Sequence, residues 1–227
     1  MILSLENLSL VLDDKSIFAN LNLTLKQGEK IAIIAPNGSG KTSLLEIIAG
    51  LKTQNTGKIT LFDKNITSLD DYESIRDKIG FLFEDSNAQF ICQNVLDDVA
   101  FSVLTNSINK NKANFKILEN LALKTASQTL ELLEISHLQA CSPFKLSNGQ
   151  KRIVALAGVL AFNPALMLLD EPENALDTAF KQKIINILKN HKSAILFSSH
   201  NLKFAKSIAD KIYTLSQNGL EIFNESK

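Results

Sequence analysis

The run Ala35-Pro36-Asn37-Gly38-Ser39-Gly40-Lys41-Thr42 follows the apolar segment Lys30-Ile31-Ala32-Ile33-Ile34 and precedes Leu44-Leu45-Glu46-Ile47-Ile48-Ala49, whose spacing is that of a helix. These residue types in this order suit the binding of a polyphosphate. Glycines let the backbone turn tightly and approach phosphate oxygens, while successive N–H groups and the positive end of the following helix favour negative charge. Lys41 adds a fixed cation and Thr42 offers a hydroxyl to Mg²⁺. Asn37, Gly38, Ser39, Gly40, Lys41 and Thr42 are therefore the candidate contacts for a nucleoside triphosphate. Ala35 stands where such loops begin with Gly. If φ is positive there, Ala costs about 1 kcal/mol relative to Gly.

A second apolar run, Ala165-Leu166-Met167-Leu168-Leu169, ends in Asp170-Glu171-Pro172. Adjacent carboxylates at the C-terminal end of a buried strand can divide labour. Asp170 would hold Mg²⁺ with Thr42, and Glu171 would orient or deprotonate a water attacking the γ-phosphate. Taken alone, the same residues are a solvated acidic turn; the loop at 35–42 is what gives them chemistry. Ser147 and Gln150 stand three apart, the spacing of a capping box, before a helix expected over 151–161. A capped helix start is also an anion site, so Ser147 and the N–H groups of Asn148 and Gly149 could meet a phosphate brought by another molecule.

The elements that must position these groups are legible as apolar runs at 2–5, 21–25, 30–34, 58–62, 78–83, 166–170, 194–198, 212–215 and 220–223. Several are continuous rather than alternating, which predicts a sheet buried on both faces. From about 97 to 146 the spacing turns helical, with Ala122, Ala126, Leu130 and Leu133 on one face and Lys124, Gln128 and Glu131 between them. The expected fold is α/β, with an antiparallel β portion near the N-terminus and an inserted helical subdomain. One domain over 1–227 is expected: a nucleotide-binding core at roughly 1–83 and 163–227, and a helical part at 84–162.

Composition narrows the classes. Of 227 residues, 45% are hydrophobic, ample for a buried core, and 24 Lys plus Arg balance 24 Asp plus Glu. Without a basic excess, nucleic acid is not expected as a partner. Cys92 and Cys141 lie far apart with no Cys/His clustering, which points to free thiols in a reducing compartment. No apolar run approaches the roughly 20 residues of a membrane span and no leader is expected at Met1-Ile2-Leu3, so direct membrane insertion is excluded and any membrane role passes through a partner.

With the loop at 35–42, Leu146-Ser147-Asn148-Gly149-Gln150, Leu168 to Pro172, Ala175-Leu176-Asp177 and Ser198-Ser199-His200 in this order, the chain resembles the ATP-binding cassette (ABC) family of P-loop NTPases over nearly its whole length. The resemblance implies ATP and Mg²⁺ as ligands and two such domains packed head to tail, with each ATP between one phosphate loop and the partner's signature, the segment that 146–150 matches here. Ser147, Gly149 and Gln150 would then act in trans, Asp177 would link the two sites, and His200 would contact the γ-phosphate. The partners implied are a second ABC ATPase subunit, in a homo- or heterodimer, and integral membrane transport subunits. The expected location is the cytoplasmic face of the membrane.

Phe83-Glu84-Asp85-Ser86-Asn87-Ala88-Gln89-Phe90 and Asp97-Asp98-Val99-Ala100-Phe101 are similar to the corresponding region of energy-coupling factor importers for vitamins and for cobalt or nickel. Those ATPases usually carry Gln where this chain has Glu84, a position that touches Mg²⁺; Glu84 retains an oxygen ligand but adds repulsion toward the γ-phosphate. Leu10, Val11 and Leu12 stand where the family usually places an aromatic against adenine, and Phe18 is the aromatic that could take that place. Asn148 and Glu173 replace a commoner Gly and a commoner small or hydroxyl residue. The reading that follows is the ATP-hydrolysing subunit of an importer. The alternative is a regulatory or structural nucleotide-binding subunit with weak hydrolysis. A cassette of soluble function in DNA repair or translation would usually carry a coiled-coil insert or a second fused cassette, and this chain has neither.

Overall fold

Alternating and continuous apolar runs build two sheets in the computed structural model, which describes residues 1–110 and 115–224, the side chains of 106–110 excepted. The first sheet has the order β2-β1-β4-β5, from β1 (Leu3–Leu12), β2 (Lys15–Leu25), β4 (Thr56–Leu61) and β5 (Lys64–Ile66), all antiparallel. The β1–β2 turn needs φ > 0 at both central positions, and Asp13 and Asp14 supply it at 48° and 60°. Both strands run well beyond the apolar segments at 2–5 and 21–25, because ladder pairing carries them outward to Leu12 opposite Lys15. β5 is too short to show as a pattern.

The second sheet has the order β10-β9-β3-β8-β7-β6, with β3 (Lys30–Ile34), β6 (Ile79–Leu82), β7 (Leu166–Leu169), β8 (Ala194–Ser199), β9 (Lys211–Ser216) and β10 (Gly219–Ile222). β3 pairs in parallel with both β8 and β9, and β7 in parallel with β8. All four residues of β7 and all six of β8 are buried, as continuous apolar strands should be. The register sets Ile34 opposite Ser199 and Leu169 opposite Phe197, so the C-terminal ends of β3, β7 and β8 form one edge.

The chain divides into two compact units. The first, residues 1–81, 165–173 and 184–227, contains the strands that carry this edge and a core of Leu3, Leu5, Phe18, Leu25, Ile31, Ile33, Leu44, Leu45, Leu166 and Leu196. The second, residues 82–164 and 174–183, is built on three helices: α2 (Val95–Lys110), α3 (Phe115–Leu132) and α4 (Asn148–Phe162). Ala122, Ala126 and Leu130 of α3, with Leu133 beyond it, are buried while Lys124, Gln128 and Glu131 are exposed, the stripe that the spacing predicts. α4 begins at Asn148 rather than at 151, because Ser147 is its cap and the signature residues form its first turn. The remaining helices are α1 (Lys41–Ile48), α5 (Thr178–Asn190) and α6 (Leu202–Ile208). Among the described residues no helix is long and apolar enough to cross a membrane.

Candidate active site

The loop at 35–40 leaves β3 and enters α1 at Lys41, so the first N–H groups of the helix, which have no partner within it, face the loop. Gly38 and Gly40 take positive φ, 77° and 95°; Ala35 does not, so the strain considered for it is absent. A Cβ at Gly40 would lie 2.4 Å from Ile17 Cγ2, so β2 forbids a side chain there as well. Lys41 is folded under the loop, 6% exposed, with Nζ donating to the carbonyls of Ala35 at 2.8 Å and Pro36 at 3.0 Å. Asn37 and Gly38 are exposed, Thr42 is half-buried, and the Ser39 hydroxyl is buried with no hydrogen-bond partner among the described residues. A buried hydroxyl without a partner inside an N–H-rich loop fits a phosphate oxygen.

Asp170 and Glu171 follow β7 on the same edge, 1% and 6% exposed. The Ser198 hydroxyl, at the end of β8, joins them: it donates to Asp170 Oδ1 and accepts the Glu171 N–H at 2.9 Å. Glu171 lies in the left-handed region at φ 49°, an arrangement that costs on the order of 1–2 kcal/mol for a side chain of this size. Its two oxygens reach different partners, Oε1 lying 3.8 Å from Lys41 Nζ and Oε2 3.1 Å from His200 Nδ1. The first unit thus gathers Lys41, Asp170, Glu171 and His200 at one strand edge. Thr42 and Asp170 offer hard oxygen donors that suit Mg²⁺. Among the described residues no group of three or more His, Cys, Asp or Glu could hold a metal ion.

Other expected residues lie in the second unit. Ser147 caps α4 with a complete capping box: its Oγ accepts from Gln150 N at 3.3 Å and Gln150 Oε1 accepts from Ser147 N at 3.0 Å. A Cβ at Gly149 would lie 2.7 Å from the Ala175 carbonyl, so the glycine is required by the chain packed against it. Asp177 accepts the Phe180 N–H at 2.8 Å at the start of α5. Glu84 is exposed, its carbonyl taken by the guanidinium of buried Arg152, which also serves the Phe83 carbonyl. Gln89 bonds to Phe83 N at 3.4 Å and to the Ala155 carbonyl at 3.0 Å.

One expectation fails. Phe18 is fully buried in the core beneath Gly40 and cannot offer a face to a base. Leu12 is 36% exposed, and the hollow of about 310 Å³ beside the phosphate loop is lined by Ser16, Ile17, Asn37, Gly38, Ser39, Ser216 and Gln217, with no aromatic. Sequence reasoning also passed over Glu173 as a group with chemistry. It is 2% exposed and bonded to the Ser199 hydroxyl, and burial pushes its carboxyl above the ordinary 4.5.

Residues 18–174 match the family model described as ABC transporter. The chain belongs to the ABC transporter family. It is an ATP-binding and ATP-hydrolysing subunit of that family. A Brucella suis protein named for an ABC transporter ATP-binding role is 36% identical over 94% of this chain and 85% of its own length. The energy-coupling factor transporter ATP-binding protein EcfA2 of Methanospirillum hungatei is 32% identical over 88% of this chain and 49% of that relative. A dimeric ATP-binding cassette solved in a post-hydrolysis state with ADP and phosphate is similar with a TM-score of 0.82 and 27% identity, over 97% of each chain.

Proposed function

We propose that this ABC subunit powers a membrane importer of the energy-coupling factor type, carrying a vitamin or a transition-metal ion, and that it works as a dimer on the cytoplasmic face with integral membrane subunits as partners. The observation that carries the hydrolytic part is Glu171 held between Lys41 and His200 at the edge that bears the phosphate loop. Backbone N–H groups of 37–42, the Ser39 hydroxyl and Lys41 bind the β- and γ-phosphates. Glu171 orients the attacking water and takes its proton; Lys41 lies against one of its oxygens, and His200, on the other, exchanges Glu171 for the γ-phosphate. On resemblance, Thr42, Asp170 and Glu84 would hold Mg²⁺, which would supply charge neutralisation at the phosphates. Ser147, Gly149, Gln150 and Asp177 act on the ATP of a second copy or a related subunit. Likeness to the energy-coupling factor relative, with the similar segment 83–101, supports the importer class.

The test is single-turnover hydrolysis of MgATP with light scattering, on wild type and Glu171→Gln. We expect hydrolysis by wild type, none by the variant, and a doubled mass for the variant with ATP. ATP bound without hydrolysis by wild type would favour a regulatory subunit instead, a reading that the aromatic-free hollow beside the loop makes worth the comparison. ATP-dependent uptake of biotin or cobalt into vesicles bearing the chain with its membrane subunits tests the cargo class.

A further inference from the structure

Glu173 is a third carboxylate behind the catalytic pair, and the hydrolytic reading above leaves it without a task. Burying an acid at 2% exposure is costly, and an apolar or hydroxyl side chain would fill the same space more cheaply. Its Oε1 receives the Ser199 hydroxyl, and its Oε2 is buried with no hydrogen-bond partner among the described residues. Ser199 immediately precedes His200. The Ser199 Oγ accepts the Asn201 N–H at 2.9 Å and lies 3.2 Å from the Asn201 carbonyl, and the Asn201 side chain accepts the Phe204 N–H at 3.1 Å to cap α6. The turn 199–201 is therefore tied at one side to α6 and at the other to Glu173. His200 itself is 54% exposed, so little packing restrains its ring, yet it reaches Glu171 at 3.1 Å.

A hydroxyl has a single proton. If Ser199 gives it to Asn201, Glu173 loses its donor, unless the Glu173 carboxyl carries a proton and donates to Ser199 instead. Burial favours that protonated form, against the Ser199 bond, which favours the charged one. We propose that Glu173 is a positioning residue for ATP hydrolysis, fixing the 199–201 turn through Ser199 and so setting the reach of His200 to Glu171. This rests on the hydrolytic reading.

The chain has three histidines, His137, His191 and His200, so a long-range ¹H–¹⁵N spectrum can follow each imidazole. Glu173→Met keeps the volume and removes the acceptor. It should lower kcat about tenfold with KM for MgATP changed by less than about twofold, and move the His200 signals while those of His137 and His191 stay. Glu173→Gln, which offers both a neutral acceptor and a donor, should restore the His200 signals and most of kcat. Ser199→Ala should reproduce the His200 shift, and the double variant should be no worse than either single one. Unmoved His200 signals in Glu173→Met, equal displacement of all three histidines, or lowered thermal stability with unchanged kcat would each overturn the proposal. A wild type that binds but does not hydrolyse ATP overturns the hydrolytic reading instead, and the imidazole spectra still decide whether Glu173 holds His200.

Discussion

Ser198 is the smallest group on which the site depends. Its single oxygen takes the Glu171 N–H and serves Asp170 Oδ1, both in buried surroundings. Ser198→Ala leaves two buried polar groups short of a bond, which destabilises by about 1–3 kcal/mol and frees the carboxylates to shift. A lower urea midpoint together with slower single-turnover hydrolysis is the expected result; an unchanged rate at a lower midpoint would confine Ser198 to the fold. Residue type and order single out Lys41, Asp170 and Glu171, and His200 enters only through the family resemblance; the fold brings Lys41 and His200 to the two oxygens of Glu171. The left-handed backbone at Glu171 and the burial of Glu173 were not legible, since both arise from how β7 and β8 meet, which neighbours in sequence do not reveal. Phe18 shows the reverse error: an aromatic near the right place has its ring in the core beneath Gly40.

Helix α4 shows how one element carries local and distant demands. Its start was legible from Ser147 and Gln150, and the capping box is complete, though the helix begins three residues earlier than its apolar face suggested. Ser147→Ala should lower stability by about 1 kcal/mol, read from the urea midpoint with an unchanged slope. The two glycines of α4 separate backbone propensity from close packing. Gly158 has open space where a Cβ would sit, so Gly158→Ala should stabilise by up to about 1 kcal/mol. Gly149→Ala drives a methyl into the Ala175 carbonyl and should destabilise despite the same gain in propensity. Equal effects from the two would mean that the 175 segment yields. No pattern in the sequence distinguishes these glycines, since the clash comes from residues some two dozen positions away.

Global stability against pH is where the perturbed acids act on the molecule as a whole. Hydrogen bonds from Thr67, with Lys64 and Ser68, hold the Asp71 carboxyl well below the ordinary carboxylate range, so its contribution is present above that range and fades in acid. Glu173 runs the other way. Burial raises it, the Ser199 bond, His200 and its own backbone oppose the rise, and the Glu171 charge adds to it. Below 4.5 the residue is protonated in both folded and unfolded chains and its contribution is whole. As pH climbs past that value the unfolded chain releases the proton first, unfolding is favoured, and stability falls until the folded carboxyl also ionises. Glu173→Gln removes this titration and leaves the others in place, so the variant should match wild type near pH 4 and gain on it as pH rises toward 7. The slope is bounded at about 1.4 kcal/mol per pH unit, the limit for one proton. Urea midpoints of both proteins at steps from pH 4 to 8, without nucleotide, measure the difference directly; a constant gap across that range would mean that Glu173 ionises alike in the folded and unfolded chains and that its burial is relieved by charge partners rather than by a proton.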